Sequence, residues 1–375
     1  MSRPRLLMVA RTRYPLPLRE STERKFAALR ERFDLRVLAT AADGQAHDDG
    51  VFKLVGRARV VDGPLFYLRL PFRVRRLAGT LRPAAILTQS PYEAALVRIG
   101  CPKAPIAVEL HGDWRTATRL YGSPLRRVLA PIADRVGTWG IRHADAVRTI
   151  SSFTSGLVRS VGVEPAGEFV AFVDIGVFAD TPRVAVPGAP RVIFVGVLER
   201  YKNLEGLAAA WRLVAARVPG AGLHLVGSGT LSELVEGLVA EGIGVRWDRR
   251  LEPPELAAAV DEARALVLPS ASEGLPRIVI ESFVRGRAVI GAKAGGIPDI
   301  VEDGVNGLLI PAGDTEALAA ALERVLTDGD LAARLGDGAA ASAPKWTATP
   351  EQYAERMAAL VDETIAAHAQ AAAAS

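Results

Sequence analysis

The sequence predicts an α/β protein made of two doubly wound parallel-sheet domains. The chain has 375 residues, which is long enough for two domains of ordinary size. Its short β-branched runs are almost continuously apolar, as strands buried on both faces of a parallel sheet are. Longer helical stretches separate these runs, and repeated β-α units lead to right-handed crossovers and a doubly wound sheet.

The strand pattern occurs twice along the chain. Strands are predicted in the first half at 5–10, 35–40, 84–88, 105–110, 145–150 and 168–173, and in the second half at 191–197, 222–226, 243–247, 264–268 and 288–292. Helices are predicted over 204–218 and 230–241. The segment 181–190, TPRVAVPGAP, has three prolines and no helix or strand period, which is typical of a linker. Domains are therefore predicted at 1–182 and 188–344. They would face each other across a cleft, with ligands beyond the carboxyl ends of the strands.

The bulk composition excludes several classes of protein. Hydrophobic residues make up 49% of the chain, so disorder is not expected. No apolar run is long enough to span a bilayer, and the apolar run near the N-terminus is too short for the core of a signal peptide. The single cysteine, Cys101, cannot form an intrachain disulfide. A cytoplasmic protein is predicted.

Charge is distributed unevenly along the chain. Residues 1–180 carry 28 Lys and Arg against 17 Asp and Glu (+11), and residues 181–375 carry 18 against 25 (−7). The segment 64–82 interleaves apolar residues with five arginines, which predicts a basic amphipathic helix that Pro71 starts or kinks. We expect the N-terminal domain to contact an anionic membrane surface, and no nucleic-acid partner. The alternative is a helix packed on the sheet, with its arginines in water.

The stretch 270–281, SASEGLPRIVIE, contains the strongest candidates for ligand-binding residues. It follows a predicted strand, and a helix is predicted from about Pro276 to Gly286. The unpaired N–H groups of such a helix start favour a phosphate, and Gly274 allows close backbone approach. Glu273 and Glu281 would then hold the two ends of an elongated ligand, with a ribose diol a natural partner for Glu281. Three alternatives stay open: a capping box, a solvated Glu281, or a hydrolase carboxylate pair.

Two cofactor signatures are absent from the sequence. Asp328-Gly-Asp330 is the only Asp-x-Asp, and it lies between helical stretches rather than after a strand, so no metal site is predicted. The segment 227–232, GSGTLS, lacks the third glycine of a dinucleotide fingerprint, which disfavours an NAD enzyme.

The stretch 270–281 also carries a family resemblance. EGLPRIVIE, followed by GAKAGGIPDIVEDGVNGLLIPAGD at 291–314, resembles the Glu-x7-Glu region of the retaining glycosyltransferases of family 4, which have the GT-B architecture. FVGVLERYKN (194–203) and LHLVGSGT (223–230) resemble the first two strands of that family's donor domain, and HADAVRTISSFT (143–154) the last strand of its N-terminal domain. Lys345, Trp346 and Tyr353 resemble the C-terminal helix, here 345–375, that crosses back to the first domain.

The resemblance implies roles for residues of the second half. Glu273 would sit beside the donor sugar and Glu281 would bind the nucleotide ribose. Lys202 matches a lysine that contacts the diphosphate. The arginine that accompanies it is replaced by Val197, so Arg200 is the candidate second cation. Further donor contacts are predicted at the turns after three strands, from Gly196, Gly227, Gly274, Leu275 and Pro276.

The resemblance assigns the first half of the chain to binding the acceptor. In ELHGDW (109–114), His111 matches a histidine that faces the donor sugar, and it could also accept the acceptor's proton. Asp113 could assist and Trp114 could stack on a sugar. Arg11 and Arg13 occupy the place of a glycine pair in many family members, where they could bind an anionic acceptor or only line the surface.

Together these observations predict a glycosyltransferase, and the resemblance implies that it retains the anomeric configuration and needs no metal or other cofactor. Its donor would be a nucleotide diphosphate hexose, and its acceptor a glycan or lipid-linked molecule of the cell envelope. A nucleotide-sugar epimerase or hydrolase on the same architecture, and a non-catalytic sugar-nucleotide-binding scaffold, are the alternatives.

Overall fold

The computed structural model describes residues 3–56, 62–116 and 124–374, except for the side chains of 62 and 124–127. The chain forms two compact units. The first consists of Met1–Phe172 and Ala348–Ser375, and the second of Val173–Thr347.

The first unit contains an eight-stranded sheet in the order β3-β4-β2-β1-β5-β6-β7-β8. All neighbouring strands are parallel except β3 and β4. The strands are β1 (Arg5–Tyr14), β2 (Asp34–Ala41), β3 (His47–Asp48), β4 (Phe52–Val55), β5 (Ala85–Thr88), β6 (Ile106–Leu110), β7 (Ala146–Thr149) and β8 (Gly167–Glu168). Its longer described helices are Glu20–Arg32, Asp62–Leu81, Pro91–Gly100, Pro124–Arg142, Ser152–Arg159 and Pro350–Ala373.

The second unit contains a fully parallel six-stranded sheet in the order β11-β10-β9-β12-β13-β14. Its strands are β9 (Arg191–Val195), β10 (Gly222–Val226), β11 (Val245–Asp248), β12 (Ala265–Leu268), β13 (Ala288–Ala292) and β14 (Gly307–Ile310). Its helices are Gly176–Ala179, Leu204–Arg217, Ser232–Ala240, Pro253–Asp261, Arg277–Val284, Ile297–Ile300, Thr315–Thr327 and Gly329–Ser342. A short 3-10 turn covers Arg200–Lys202 and another Ala343–Lys345.

Both sheets are buried on their two faces, which explains the continuously apolar strands. In β1, Leu6 and Met8 belong to one core cluster and Leu7 and Val9 to the cluster on the other face. In β9, Val192 and Phe194 face one core and Ile193 the other. The predicted α/β class with two parallel-sheet domains is confirmed.

Each sheet has a point where the strand order reverses. In the first, β1 lies between β2 and β5; in the second, β9 lies between β10 and β12. The loops after two such neighbouring strands diverge to opposite faces of the sheet and leave a crevice at their carboxyl ends, where ligands bind in open α/β sheets. The crevice loops in the second unit are 196–203 and 269–276.

The division between the units differs from the predicted boundary at 182. It falls between Phe172 and Val173, and the proline-rich segment 181–190 lies inside the second unit. Three buried arginines bind the carbonyls of this segment. Arg285 donates to the oxygens of Thr181 and Pro182, Arg287 to those of Val184 and Ala185, and Arg264 to those of Pro187 and Gly188. These bonds fix a segment whose local sequence is typical of a linker.

Short strands account for the other differences from the sequence. The run 168–173 contributes only Glu168 to the two-residue strand β8 (Gly167–Glu168), and β3, β4 and β14 were not predicted. Such short strands are defined by their pairing partners more than by their own periodicity.

Candidate active site

The crevice of the second unit brings together two loops that lie far apart in the chain. The loop after β9 contains Gly196 and Lys202, and the loop after β12 contains Glu273 and Gly274. Ala271 N donates to Tyr201 O at 2.7 Å, which ties the second loop to the first. The strand order therefore gathers these residues at one edge of the sheet.

Lys202 and Glu273 form an ion pair in this crevice. Lys202 Nζ donates to Glu273 Oε1 at 2.5 Å, and the two side chains are 9% and 12% exposed. The ammonium group has three N–H donors and the carboxylate has a second oxygen, so the pair can still bind a ligand. The 3-10 turn Arg200–Lys202 ends at Asn203 in the left-handed region (φ 55°), which directs the chain from the turn into the next helix.

Two glycines after β13 position the backbone of Glu273. Gly296 N donates to Glu273 O at 2.9 Å. Gly295 has φ +57°, and a Cβ atom there would lie 2.2 Å from Glu273 O. Only glycine fits so close to another backbone. The Gly-Gly pair that contributed to the family resemblance thus fixes the backbone position of the loop that carries Glu273.

Gly227, directly after β10, has a comparable role beside the loop that follows β9. Its φ is +143°, and a Cβ atom would lie 1.9 Å from Gly196 O. Gly196 N in turn donates to Val226 O at 3.0 Å. The two glycines hold the ends of β9 and β10 together, and their predicted contact with a donor stays a prediction.

The helix Arg277–Val284 begins directly behind Glu273. Gly274 and Leu275 lead into it, Pro276 is the residue before its first turn, and no side chain caps it. The capping-box alternative is therefore wrong. The uncapped N–H groups at this end remain available to an anion.

Glu281 lies on the buried side of this helix. It is 5% exposed, and its Oε1 accepts a hydrogen bond from Arg277 Nε at 2.6 Å. Burial raises the pKa of Glu281, although Arg277 opposes the shift. The alternative of a solvated Glu281 is wrong. A buried carboxyl with one partner is the kind of group that a ligand hydroxyl can satisfy.

The candidate second cation, Arg200, lies at the start of the 3-10 turn. Its side chain is exposed and makes no hydrogen bond or ion pair within the part of the chain that the structure describes. Val197, at the position of the family arginine, is 46% exposed. The turn therefore offers one well-positioned cation, Lys202, and one that is free to move.

His111 lies in the first unit, directly after β6. The residue is exposed, yet its pKa is lowered to about 4. The main cause is the surrounding protein, which displaces water. Arg148 and Lys25 lower the pKa further because they disfavour another cation, and Glu109 opposes both effects. With this pKa the imidazole is neutral at pH 7 and can accept a proton.

The neighbours of His111 have structural roles. Asp113 accepts hydrogen bonds from Arg115 N at 2.9 Å and from the Thr116 hydroxyl. Trp114 is only 3% exposed and packs in the core, with the Arg115 guanidinium 4.6 Å from its ring centroid. The prediction that Trp114 stacks on a sugar is wrong because its ring is already covered by protein.

Two buried acids of the first unit were missed. Glu109 on β6 pairs with Arg148 on β7, and Glu93 lies in the first turn of the helix Pro91–Gly100. The available signal was an acid inside an apolar run, IAVEL for Glu109 and PYEAALV for Glu93. Burying a charge is costly, so such positions have a reason in the fold or the site.

The described residues contain no group of three or more His, Cys, Asp or Glu side chains placed to hold a metal ion. Among the described helices, none is long and apolar enough to cross a membrane.

Two parallel-sheet units, with a lysine–glutamate pair at the crevice of the second, are features of GT-B glycosyltransferases, and comparisons with known proteins agree. A family model described as "Glycosyl transferases group 1" matches residues 189–328, and one described as "Glycosyl transferase 4-like domain" matches residues 18–172. Together the two models cover most of the chain, which is therefore a glycosyltransferase of the group that they describe.

The sequence relatives include two kinds of glycosyltransferase. The lipopolysaccharide core biosynthesis glycosyltransferase LpsE of Rhizobium meliloti is 28% identical over 276 residues, covering 72% of this chain and 73% of LpsE. The D-inositol 3-phosphate glycosyltransferase of Streptomyces bingchenggensis is 32% identical, over 54% of this chain and 50% of that protein. The chain therefore spans only about half of this second relative.

Solved structures confirm the fold. Sucrose-phosphate synthase from Thermosynechococcus elongatus matches with a TM-score of 0.75 at 20% identity, covering 97% of this chain and 100% of that one. HepE of Anabaena, solved in complex with UDP, matches with a TM-score of 0.70 at 17% identity, over 96% and 99% of the two chains.

Proposed function

We propose that this protein is a retaining, metal-independent hexosyltransferase. It would transfer a hexose from a nucleotide diphosphate sugar to a glycan or lipid-linked acceptor in cell-envelope polysaccharide or glycolipid biosynthesis, on the cytoplasmic side of the membrane. The observation that supports this best is the Lys202–Glu273 pair beside an uncapped helix start, with Glu281 buried farther along the same helix. A cation, N–H donors and two carboxylates are the groups that a nucleotide diphosphate sugar needs from its binding site.

Each group of the donor has a complementary partner in this arrangement. The diphosphate would accept hydrogen bonds from Lys202 and from the helix start, Glu273 would accept from sugar hydroxyls, and Glu281 from the ribose. Lys202 supplies the positive charge that a metal ion supplies to diphosphates elsewhere, which is the basis for proposing no metal. The UDP bound by HepE and the lipopolysaccharide role of LpsE are consistent with such a donor and acceptor.

The reaction would proceed as a front-face displacement. The acceptor hydroxyl oxygen bonds to the anomeric carbon as the bond from that carbon to the diphosphate oxygen breaks, on the same face. The hydroxyl proton passes to a diphosphate oxygen, with neutral His111 as the alternative acceptor. Negative charge grows on the leaving diphosphate, so Lys202 stabilises the transition state more than the ground state.

The donor assignment predicts a specific loss of nucleotide binding in Glu281→Gln. One nucleoside diphosphate should raise the melting temperature of the wild-type protein in a panel of bases, because a ligand bound only by the folded state stabilises it. In Glu281→Gln, the affinity for that nucleotide should fall roughly 10-fold or more, since a hydrogen bond to a charged group contributes about 1.5–3 kcal/mol. Isothermal titration measures both affinities.

Glu302→Gln, which changes an exposed acid of the same unit, is the control and should bind like the wild type. If no nucleoside diphosphate or its sugar shifts the melting temperature, the proposed donor class is wrong. Rapid epimerisation of a nucleotide sugar without acceptor would favour an epimerase instead.

We also propose that the first unit binds an anionic membrane surface. Its helices Asp62–Leu81 and Pro124–Arg142 both pack on the helix Pro91–Gly100 and leave large apolar side chains in water. These side chains are Leu68 (71% exposed), Phe72 (76%), Val128 (74%), Leu129, Ile132, Val136 and Trp139. Exposed arginines flank them, including Arg69, Arg76, Arg135 and Arg142. Apolar residues bordered by arginines suit the interface of an anionic bilayer.

Flotation with vesicles tests this surface. The wild type should float with vesicles of phosphatidylcholine and phosphatidylglycerol at low salt, and less with phosphatidylcholine alone. The triple variant Leu68→Ser/Phe72→Ser/Ile132→Ser should bind at least about tenfold more weakly, because each buried large apolar side chain contributes roughly 1.5–3 kcal/mol. Val305→Ser, which changes an exposed apolar residue of the other unit, is the control. Absence of flotation, or dimerisation that the triple variant abolishes, would overturn the membrane assignment.

A further inference from the structure

The helix Arg277–Val284 has only two charged side chains, and they bind each other. Arg277 is its first residue, and Arg277 Nε donates to Glu281 Oε1 at 2.6 Å. The Arg277 side chain is 59% exposed and that of Glu281 only 7%. All other residues of the helix are apolar except Ser282. Within the described part of the chain, Arg277 is therefore the one ionic partner of the buried carboxyl.

An arginine at the first position of a helix opposes the local electrostatics. The N-terminus of a helix carries a partial positive charge, which disfavours a cation in the first turn. A cation that precedes its acid by four residues also forms the weaker of the two possible i, i+4 arrangements. Residues that break such local rules tend to occur at functional sites. Helix stability therefore does not account for Arg277.

A second bond fixes the Arg277 side chain. Its Nη2 donates to Asp174 O at 3.0 Å. Asp174 Oδ1 accepts a hydrogen bond from Gly176 N at 3.1 Å, which closes a turn around this carbonyl. Val173 and Ile175, on either side of Asp174, pack on the same core cluster as the helix. A guanidinium bonded through two of its nitrogens keeps one orientation, because its donors form a planar fork.

Glu281 has one oxygen left for a ligand. Oε1 is bound by Arg277, whereas Oε2 accepts no hydrogen bond from the described residues. The side chain is not completely enclosed, so a hydroxyl group can reach Oε2. Burial raises the pKa of Glu281, and Arg277 opposes that rise, which favours the ionised carboxylate. An ionised acceptor forms a stronger hydrogen bond than a neutral one.

We infer that Arg277 is a positioning residue for the nucleotide. Its two bonds hold Glu281 so that Oε2 accepts from the ribose diol, and Arg277 itself does not touch the ligand. The inference rests on the proposed function for the ribose contact of Glu281, whereas the bonds that fix Arg277 do not depend on it. Loss of Arg277 should weaken recognition of the ribose hydroxyls and of no other part of the nucleotide.

The test compares nucleoside diphosphates that have the ribose diol with those that lack it. ADP, CDP, GDP and UDP and their 2′,3′-dideoxy forms are titrated into the full chain, and the base that binds most tightly is used. The wild type should bind the ribose form at least about tenfold more tightly, since one hydrogen bond to a charged group accounts for that ratio. In Arg277→Gln the preference should fall to about threefold or less, because a misplaced or neutral acceptor contributes less.

The dideoxy form also reports whether the rest of the site is intact. Its affinity for Arg277→Gln should stay within about twofold of the wild-type value, because contacts that are independent of each other add. Arg212→Gln is the matched control, since it removes a partly exposed arginine that pairs with Glu241 in the same unit. It should keep the wild-type preference. In the Glu281→Gln background, Arg277→Gln should cause no further loss, because both substitutions remove one and the same contact.

Two results would overturn the inference and leave the donor assignment intact. One is an unchanged preference in Arg277→Gln while Glu281→Gln loses it. The other is an equal loss of affinity for the ribose and dideoxy forms in Arg277→Gln, which would mean that Arg277 contacts the diphosphate or supports the fold. If Glu281→Gln keeps the wild-type preference, the ribose contact itself is wrong and the inference falls with it. The two kinds of failure are therefore distinguishable.

Discussion

Replacing Lys202 with methionine is expected to lower kcat for sugar transfer by about 10²–10³-fold. Such a loss is typical when one positioned donor to a developing negative charge is removed. Methionine keeps the length of the buried side chain, so the fold should survive. Nucleoside diphosphate binding should weaken as well, whereas binding of the nucleoside without phosphate should not change. Initial rates at saturating donor and acceptor, with titrations of both ligands, measure these effects.

Three further variants show whether the loss of kcat in Lys202→Met is due to the diphosphate contact. Lys103→Met, which changes an exposed lysine of the other unit, should behave like the wild type. Arg200→Gln should reduce kcat less than Lys202→Met, because the Arg200 side chain is exposed and not held in place. If Lys202 only positions Glu273, the double variant Lys202→Met/Glu273→Gln will be no slower than Glu273→Gln alone. That outcome, or a kcat loss below about threefold in Lys202→Met, would contradict the role of Lys202 at the diphosphate.

The second large effect is a loss of stability when the buried ion pair of Glu109 and Arg148, close to His111, is broken. Arg148 Nη1 donates to Glu109 Oε1 at 2.5 Å and Nη2 donates to Phe169 O at 2.6 Å, with Arg148 0% and Glu109 1% exposed. The Tyr353 hydroxyl, from the C-terminal helix, donates to the same Oε1 at 3.2 Å. Removing Arg148 leaves a buried carboxylate without its cation. Arg148→Met should therefore lower the free energy of unfolding of the first unit by about 3–5 kcal/mol.

Because Glu109 is titratable, the loss of unfolding free energy in Arg148→Met should depend on pH. Burial alone would raise the pKa of Glu109, but Arg148, His111, Lys25 and the Tyr353 hydroxyl outweigh it and hold the pKa below its usual value. A group with a lowered folded pKa stabilises the protein above its unfolded pKa of about 4.3, and that contribution is lost as pH falls through the folded value. Without Arg148 the carboxyl is protonated more readily, so the deficit of Arg148→Met should shrink as pH approaches about 4.

Urea unfolding, monitored by hydrogen exchange at β6 and β7, measures the free energy of unfolding of the first unit. Glu109→Leu/Arg148→Met is the matched variant and should recover most of the lost stability, because both charges are removed together. A deficit below about 1 kcal/mol in Arg148→Met at pH 7, or one that grows as pH falls, would show that Glu109 is not held as a buried anion.

The fold class could be predicted because its signals are local. A strand buried on both faces is apolar at every position, and this is visible in a few consecutive residues such as those of β9 or β13. The loop 269–276 could be placed for the same reason, since it follows a buried strand and precedes a proline at a helix start. Glu273, Glu281 and Lys202 were found through local motifs of this kind.

The sequence by itself determined the two parallel-sheet domains and the residues at the ends of their strands. Tertiary structure alone decided which of these residues meet. Lys202 and Glu273 lie 71 positions apart, and Tyr353 and Glu109 lie 244 apart. The segment 181–190 is held by arginines that lie 76 to 104 positions after the residues they bind. The physical reason is that the order of the strands decides which loops lie next to each other at the edge of a sheet. That order depends on how the helices cover both faces of the sheet. The ion pair in the crevice and the burial of Trp114 both follow from that packing.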